Sequence, residues 1–255
     1  MKRKKITEVV ITGRDKDILR FLSSGPALLS EILTVLKRMG WQKITKSALL
    51  NRLADLRKSG YVMSNCYHNI TGPERYSLYA LNKKARLVLN SIGYLPEHVR
   101  LGLPDKSEAS HEIAVTSIVR AIKKEANKTG YGFSIMDEKT LKQRFQKTKG
   151  QAFPDLLVKL ILNVAGAEKE KAIYIEYDNG TIYAAEVLEK VIKQHRFTMI
   201  LCATTERLNA LKRIFSKADE WVNTNVVFCL LSDFYENGFL GTSFITPQGD
   251  RARIV

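Results

Sequence analysis

Acidic side chains occupy the ends of two apolar segments in the middle of the chain. The first segment, FPDLLVKLIL, carries Asp155 near its start, and the second, KAIYIEYDNG, carries Glu176 and Asp178 near its end. Side chains alternate between the two faces of a strand, so Glu176 and Asp178 share one face. If the segments pair so that Asp155 meets Glu176, three carboxylates converge at one edge of a sheet. Like charges repel each other when buried together, which predicts a cation among them.

The chemistry of these side chains points to a hard divalent cation. Sets of oxygen ligands suit Mg²⁺ or Mn²⁺, and we therefore predict a metal site formed by Asp155, Glu176 and Asp178. The three cysteines are far apart in sequence and include no CxxC, which argues against a zinc site. The sequence also contains no P-loop, GxSxG or HExxH motif, so no nucleotide cofactor is expected.

The elements that would position these acids alternate between helix and strand. The pattern predicts a long helix, a strand, the two acidic strands, and then a helix–strand–helix–strand succession. The predicted bounds are 107–127, 131–137, 153–162, 171–180, 182–196, 197–203, 205–217 and 226–231, with an edge strand at 239–245. This order predicts an α/β domain with a central mixed sheet. The basic interval 138–151 is interpreted either as a segment over the site that holds nucleic-acid backbone or as solvated surface.

The first eighty residues show a different pattern. Thr12 and Asp15 have the spacing of a capping box, and Thr45 is a plausible N-cap, so helices are expected after both threonines. The predicted elements are helices near 13–22, 27–39 and 45–58, followed by strands at 61–67 and 75–81. Three helices and a hairpin in this order predict a winged helix-turn-helix, whose third helix enters the major groove.

The third predicted helix has an apolar side and a polar side. Leu49, Leu50, Leu53 and Leu56 cluster on one side of the helical wheel, which predicts that they face the core. The candidate DNA-binding residues lie on the outer side of this helix and on the hairpin. An asparagine side chain can hydrogen-bond the edge of an adenine, and basic side chains can contact phosphate or guanine. These candidates are Lys46, Ser47, Asn51, Arg52, Lys58 and Arg75. The alternatives left open are ordinary solvated residues and a protein-contact module.

The distribution of charge favours the DNA-binding alternative. The chain carries a net charge of +15, and residues 1–150 hold 29 Lys and Arg against 13 Asp and Glu, whereas residues 151–255 hold 12 against 13. A basic excess confined to one part of the chain indicates a polyanion-binding module followed by a nearly neutral one. Residues 2–5, all basic, form a short arm of the kind that binds phosphate.

We predict an α+β protein of two domains. Residues 1–93 form the winged helix with a linking helix at 82–92, residues 94–106 form a linker, and residues 107–255 form the second domain. The linker is predicted from its prolines and glycines. The sequence contains no membrane span and no signal-peptide core, which favours a cytoplasmic protein without a membrane partner.

The second domain resembles the PD-(D/E)xK restriction-endonuclease-like fold. The resemblance covers roughly residues 107–203 and depends on the element order, the Pro154-Asp155 pair and the segment Glu176-Tyr177-Asp178. With its N-terminal winged helix, the whole chain resembles the replication-relaxation family of plasmids and integrative elements. His111, at the start of the long helix, and Lys190 are further matches.

The resemblance implies that Asp155 and Glu176 hold a divalent metal that activates water against a scissile phosphate. The nuclease pattern places a lysine where this chain has Asp178. Either the lysine is supplied from another position in the chain, or the site no longer cuts DNA. Lys190 is the predicted migrated lysine, although a surface ladder of i, i+4 pairs explains it equally well. Lys159 is an alternative, but it lies too far along its strand. His111 and Glu112 are candidates for supporting the site, with a structural histidine as the alternative.

Two functions remain open at this point. In the first, the protein binds double-stranded DNA of a plasmid or mobile element and cuts or nicks it in replication or mobilisation. In the second, it is a catalytically inactive, sequence-specific accessory or regulator that keeps the nuclease fold as a scaffold. Relaxase or replication proteins are the expected protein partners, and the linking helix at 82–92 is a possible oligomer interface.

Overall fold

The computed structural model describes residues 9–68, 75–94, 99–129, 131–145, 152–164 and 167–254 of the protein. The chain divides into two compact units, Met1–Thr116 and Ser117–Val255. In the described residues, one sheet of three strands and another of seven are present together with helices, so the protein is of the mixed α+β class, as predicted. No helix in the described ranges is both long enough and apolar enough to cross a membrane.

The first unit begins with three helices and a hairpin. Its elements are α1 (Gly13–Leu22), β1 (Ala27–Leu28), α2 (Leu29–Arg38), α3 (Lys46–Lys58), β2 (Val62–His68), β3 (Arg75–Leu81) and α4 (Ala85–Ser91). Strand β3 lies between β1 and β2 and is antiparallel to both. This is the order of elements in a winged helix-turn-helix. Positions 69–74, between the two strands of the hairpin, lie outside the described residues.

Hydrogen bonds from capping side chains fix the starts of α1 and α3. The side chain of Thr12 accepts from the backbone N–H of Asp15, and the Asp15 carboxylate accepts from the N–H of Thr12. The hydroxyl of Thr45 accepts from the N–H of Ala48 at 3.1 Å. Each cap satisfies a donor that the first helical turn leaves unpaired. The helix starts predicted at these threonines are therefore confirmed.

The core of the first unit follows the predicted apolar stripes with one exception. Leu49, Leu53 and Leu56 of α3 are fully or almost fully buried and pack with residues of α1 and α2. Leu50 was predicted to face the core, but its side chain is 39% exposed. It lines a groove of about 400 Å³ between α2, α3 and β3. The prediction for Leu50 is wrong because an intermediate position on the wheel was assigned to the core.

The segment predicted as a linker packs in part on the first unit. The backbone N–H of Arg100 donates to the carbonyl of Ser23 at 3.0 Å. The guanidinium of Arg100 pairs with Glu112 and donates to the Thr116 hydroxyl. Helix α5 (Ala109–Thr129) carries both partners, and the boundary between the units falls inside this helix. Positions 95–98 of the predicted linker lie outside the described residues.

The second unit is built on the larger sheet. Its elements after α5 are β4 (Gly132–Asp137), α6 (Glu138–Arg144), β5 (Leu156–Val164), β6 (Ala167–Asp178), α7 (Ala184–Gln194), β7 (Thr198–Cys202), α8 (Thr205–Phe215), α9 (Glu220–Asn225), β8 (Val226–Leu230), α10 (Leu231–Gly241), β9 (Phe244–Ile245) and β10 (Arg251–Ala252). The strand order is β10-β9-β8-β7-β6-β5-β4. The pairs β6–β7 and β7–β8 are parallel and the other pairs are antiparallel, so the predicted mixed sheet is present.

Helices α7 and α8 cover the sheet face that carries the acids. Val187 and Val191 of α7 and Leu208 of α8 pack against Ile200 and other buried residues of β7 and β8. Ile200 lies beside Glu176 in the parallel register of β6 and β7. Adjacent residues in register point to the same face of a sheet. The side chain of Glu176 therefore points toward the layer of α7.

Candidate functional site

The strand register brings the first two acids together. Leu156 pairs with Ile175 in the antiparallel ladder of β5 and β6, so Asp155, one residue earlier, lies beside Glu176. The backbone N–H of Tyr177 donates to Oδ2 of Asp155 at 2.8 Å, which fixes this carboxylate at the end of the ladder. The predicted meeting of Asp155 and Glu176 is thus present in the structure.

Lys190 reaches both acids from α7. Its Nζ lies 2.5 Å from Oε2 of Glu176 and 3.7 Å from Oδ1 of Asp155. The surface ladder that offered another explanation is present at Glu189 and Lys193, which pair at 2.5 Å. Lys190 does not extend that ladder, because its ammonium group turns to Glu176. Lys159, the other lysine considered, pairs with Glu170 at 2.8 Å.

Gln194 holds the second oxygen of Glu176. One turn after Lys190, its Nε2 donates to Oε1 of Glu176 at 2.6 Å. The Oε1 atom of Gln194 is buried and has no hydrogen-bond partner among the described residues. The sequence analysis missed this residue. Its signal was a polar side chain on the buried stripe of Ala184, Val187 and Val191, where an apolar one is expected.

Burial and neighbouring charge set the protonation of the cluster. Burial of Glu176, together with the charge of Asp155, raises the pKa of the Glu176 carboxyl to about 8, although Lys190 and Gln194 oppose the rise. Burial works to lower the pKa of Lys190, but the charges of Glu176 and Asp155 outweigh burial and raise that pKa. Lys190 is therefore a protonated ammonium at neutral pH, and Glu176 binds a proton more readily than an ordinary glutamate.

The third acid is directed to a different cation. Oδ2 of Asp178 accepts from Nε of Arg207 at 2.9 Å, and Nη2 of Arg207 lies 2.9 Å from the same oxygen. Arg207 also donates to the carbonyl of Ile182, while Oδ1 of Asp178 accepts from the N–H of Gly180. The sequence analysis missed Arg207, because no local spacing links α8 to the end of β6. The structure thus gathers Asp155 and Glu176 around Lys190 and pairs Asp178 with Arg207.

The cluster can be compared with the needs of the predicted metal. Within the described ranges, no three His, Cys, Asp or Glu side chains are gathered in a way that could hold a metal ion. Magnesium, however, is commonly held by only one or two carboxylates, with water and substrate phosphate as its other ligands. Asp155 and Glu176 fit that donor set in chemistry and position. A full set of three carboxylates that includes Asp178 would require Asp178 to leave Arg207.

The predicted DNA-binding residues of the first unit fall into two groups. The side chains of Lys46, Ser47, Asn51 and Lys58 are exposed on α3, and Arg75 is exposed at the start of β3. Arg52 is only partly exposed, because its guanidinium donates to both oxygens of the buried Asp15 and to the carbonyl of Val10. The residues of the first group are accessible to solvent, as DNA-contacting side chains must be. The contacts of Arg52 favour a structural role.

The two helical residues predicted to support the site both lie in the first unit. His111 and Glu112 are on α5 and are partly buried. The Glu112 carboxylate pairs with Arg100 of the same unit. Their support for the carboxylate cluster remains a prediction.

Comparison with known protein families matches most of this chain. The family described as replication-relaxation matches residues 19–199, which run from α1 into β7. The chain belongs to the replication-relaxation family. This confirms the family suggested by the winged-helix order, the Pro-Asp pair and the Glu-x-Asp segment.

Two other comparisons add little to the family match. The structure of Bacillus subtilis PadR in complex with operator DNA is 14% identical, with 45% of this chain and 72% of that chain covered at a TM-score of 0.28. That similarity is too low to support an argument about fold or function. A comparison with curated proteins gives no match.

The replication-relaxation match includes both the candidate DNA-binding helix and the carboxylate cluster. It contains all of α3 and also Asp155, Glu176, Lys190 and Gln194, but it ends before Arg207. The cluster around Lys190 therefore lies entirely within the matched part of this replication-relaxation protein. The Asp178–Arg207 pair joins a matched residue to one beyond the match.

Proposed function

We propose that this replication-relaxation protein binds double-stranded DNA of a plasmid or mobile element and acts in its replication or mobilisation. The main support for the proposal is the exposed polar and basic side of α3. Helix α3 follows the helices α1 and α2 and precedes the hairpin of β2 and β3. This arrangement suits insertion of α3 into a major groove. The basic excess of residues 1–150 supplies the attraction to the backbone.

The exposed residues have distinct proposed roles. Asn51 presents an amide that can bond the N6 and N7 edge of adenine, which would give sequence preference. Lys46 and Lys58, near the two ends of α3, and Arg75 on the hairpin would contact phosphates and set the position of the helix. Arg52 is proposed to hold α3 against α1 through Asp15 rather than to touch DNA.

Site selection from a pool of random duplexes tests the DNA-binding proposal. Wild-type protein is expected to enrich a preferred sequence and to bind it more tightly than random duplex, with an affinity that falls as salt rises. Asn51→Ala should reduce the preference, and metal should not be required. Equal affinity for the selected and random duplexes would contradict sequence-specific regulation.

We further propose that the second unit has a nuclease-like site. Asp155 and Glu176 would hold a magnesium or manganese ion, which when bound supplies polarisation of a phosphate and an acidified water. Lys190 would supply the positive charge that the nuclease pattern expects at the place of Asp178. The ammonium lies close enough to both acids for this role. Asp178 would instead order the loop after β6 through Arg207 and Gly180.

A catalytically inactive protein is the second candidate function. It is favoured by the same cluster, because Lys190 and Gln194 already occupy both oxygens of Glu176. In that case the sheet is a scaffold, and the protein acts as a DNA-binding accessory or regulator alongside a relaxase or replication protein.

Incubation with supercoiled plasmid and Mg²⁺ or Mn²⁺ separates the two candidates. A nuclease is expected to relax or linearise the plasmid, and Asp155→Ala and Glu176→Ala should each abolish this, whereas Lys193→Ala should not. Plasmid that stays supercoiled, or cutting that survives both substitutions, would leave the DNA-binding function without the enzymatic one.

A further inference from the structure

The carboxylate cluster already contains a cation of its own. The ammonium of Lys190 lies 2.5 Å from Oε2 of Glu176 and within 3.7 Å of Asp155. A magnesium ion bound by these acids would sit about 2.1 Å from the same oxygens. The two cations would therefore compete for one small, largely buried space, since the Glu176 side chain is only 6% exposed.

We infer that Lys190 closes the metal site in the DNA-free protein, and that a phosphate of bound DNA opens the site by drawing the ammonium away. The inference rests on the proposed function, because it needs DNA to reach the second unit. It assigns Lys190 two successive positions, one on Glu176 without DNA and one on phosphate with DNA. It follows that DNA-free protein should bind divalent cations weakly.

The structure gives Lys190 freedom to move while Glu176 stays in place. The Lys190 side chain is 30% exposed and ends in a flexible four-carbon chain, so its ammonium can reach solvent. Glu176 keeps the hydrogen bond from Gln194, and Asp155 keeps that from the N–H of Tyr177. Both acids would therefore remain positioned when Lys190 leaves.

A second observation indicates that the cluster is incomplete as it stands. The buried Oε1 of Gln194 has no donor among the described residues. Buried polar atoms without partners in a protein are commonly completed by water or an ion. The ammonium of Lys190 does not donate to this oxygen, so a water molecule or a hydrated cation is the expected donor.

Manganese binding to the DNA-free protein, followed by electron paramagnetic resonance, tests the inference without any measure of activity. Lys190→Gln removes the internal cation and its repulsion of the metal ion, and is therefore expected to tighten Mn²⁺ binding by about tenfold or more. Lys190→Arg keeps the charge and should bind like wild type. Lys193→Gln is the matched control, since Lys193 is on the same helix but pairs with the exposed Glu189.

Addition of Glu176→Gln to the Lys190→Gln variant locates the gained site. The double variant should lose the gain, and a gain that persists would place the ion elsewhere and overturn the inference. Equal Mn²⁺ affinity for wild type and Lys190→Gln would also overturn it. Circular dichroism verifies folding, and Lys190→Met provides a second neutral variant if Lys190→Gln does not fold.

A second arm adds a short duplex to the wild-type protein, with duplex alone as the blank. Mn²⁺ binding by the complex should tighten toward the Lys190→Gln value, and Glu176→Gln protein with the same duplex should show no gain. DNA affinity is recorded on the same samples. Absence of DNA binding would refute the proposed function, whereas DNA binding without tighter Mn²⁺ binding would refute only the opening of the site by DNA.

Discussion

Single side chains in this protein connect elements that are distant in sequence. Lys190 and Gln194 both reach Glu176, and Arg207 reaches Asp178 across 29 positions. Arg52 likewise reaches Asp15 across 37 positions. In each case an acid that is at least nine-tenths buried obtains a cationic or amide donor from a helix packed on it. This is the usual requirement for burying a carboxylate.

The Asp15–Arg52 pair gives a pH-dependent prediction. Burial would raise the pKa of Asp15, but hydrogen bonds from Arg52 and Thr12 outweigh burial and hold the pKa below its ordinary value of 3.8. The stabilisation from the charged form is therefore present above about pH 4 and is lost as the pH falls through the lowered pKa. Asp15→Asn should lower the free energy of unfolding at neutral pH by about 1.5–3 kcal/mol.

Urea unfolding of wild type and Asp15→Asn from pH 7 down to pH 3 measures this effect. The two stabilities should approach each other in acid, and Asp105→Asn, at an exposed position, should match wild type throughout. A difference between wild type and Asp15→Asn that stays constant over the whole range would contradict the role of the ionised carboxylate.

Residue types and spacing predicted part of this picture. The alternation along β6 was enough to predict that Glu176 and Asp178 share a face, because the period of a strand fixes which side chains share a face. That Asp155 meets Glu176 was a condition on the register of the two strands, and the structure meets this condition. The local sequence could not decide whether Lys190 contacts the acids or pairs with Glu186, four residues earlier on the helix. The outcome depends on how α7 packs on the sheet, and the same is true of Gln194 and Arg207.

At the scale of elements, α7 carries two lysines in contrasting environments. Lys190 faces the buried acids, whereas Lys193 forms an exposed pair with Glu189 on the outer side of the same helix. Exposed pairs contribute little because solvent screens them. The two positions therefore form an internal comparison within one helix.

Lys190→Ala should destabilise the second unit, and Lys193→Ala should not. Removal of Lys190 leaves two neighbouring carboxylates without their cation, at an expected cost of about 1–3 kcal/mol in the free energy of unfolding. Lys193→Ala should change it by less than about 0.5 kcal/mol. Thermal unfolding measures both, and added Mn²⁺ should restore stability to Lys190→Ala more than to wild type. Equal losses in the two variants would contradict the assigned environments.

We propose that α3 contacts bases and phosphates with different residues along its length. Lys58→Ala should weaken binding to all duplexes alike and should reduce the slope of log affinity against log salt by about 0.9. Asn51→Ala should leave that slope unchanged and instead narrow the difference between preferred and random duplex. Anisotropy titrations over a salt series measure both quantities. Identical behaviour of the two variants would contradict this division of roles.

The elements themselves were predicted unevenly. Capping residues predicted the starts of α1 and α3, and apolar runs predicted the strands β5 and β6, because both signals are local in sequence. The helices α9 and α10 were not predicted. Helix α10 contains a break at Gly238, with φ of 79°, and the N–H groups after it donate to Glu125. The local sequence gives a weak helical signal here, because the helix is completed by hydrogen bonds to the distant Glu125.

At the scale of the whole molecule, two kinds of chemistry are divided between two compact units. The first unit carries the exposed face of α3 in the strongly basic part of the chain, and the second unit carries the buried carboxylates and Lys190. The family match covers both features. The proposal assigns DNA binding to the first unit and the nuclease-like site to the second.

An anisotropy titration of a labelled duplex at moderate salt is the decisive test of whether α3 is the helix that reads DNA, as we propose. The combined variant Lys46→Ala, Asn51→Ala, Lys58→Ala should bind at least about tenfold more weakly than wild type. A control that changes three exposed lysines of the second unit to alanine, at Lys169, Lys193 and Lys217, removes one positive charge more than the α3 variant and should still lose clearly less. Wild-type affinity in the α3 variant, or an equal loss in both variants, would contradict the assignment of α3 as the DNA-reading helix.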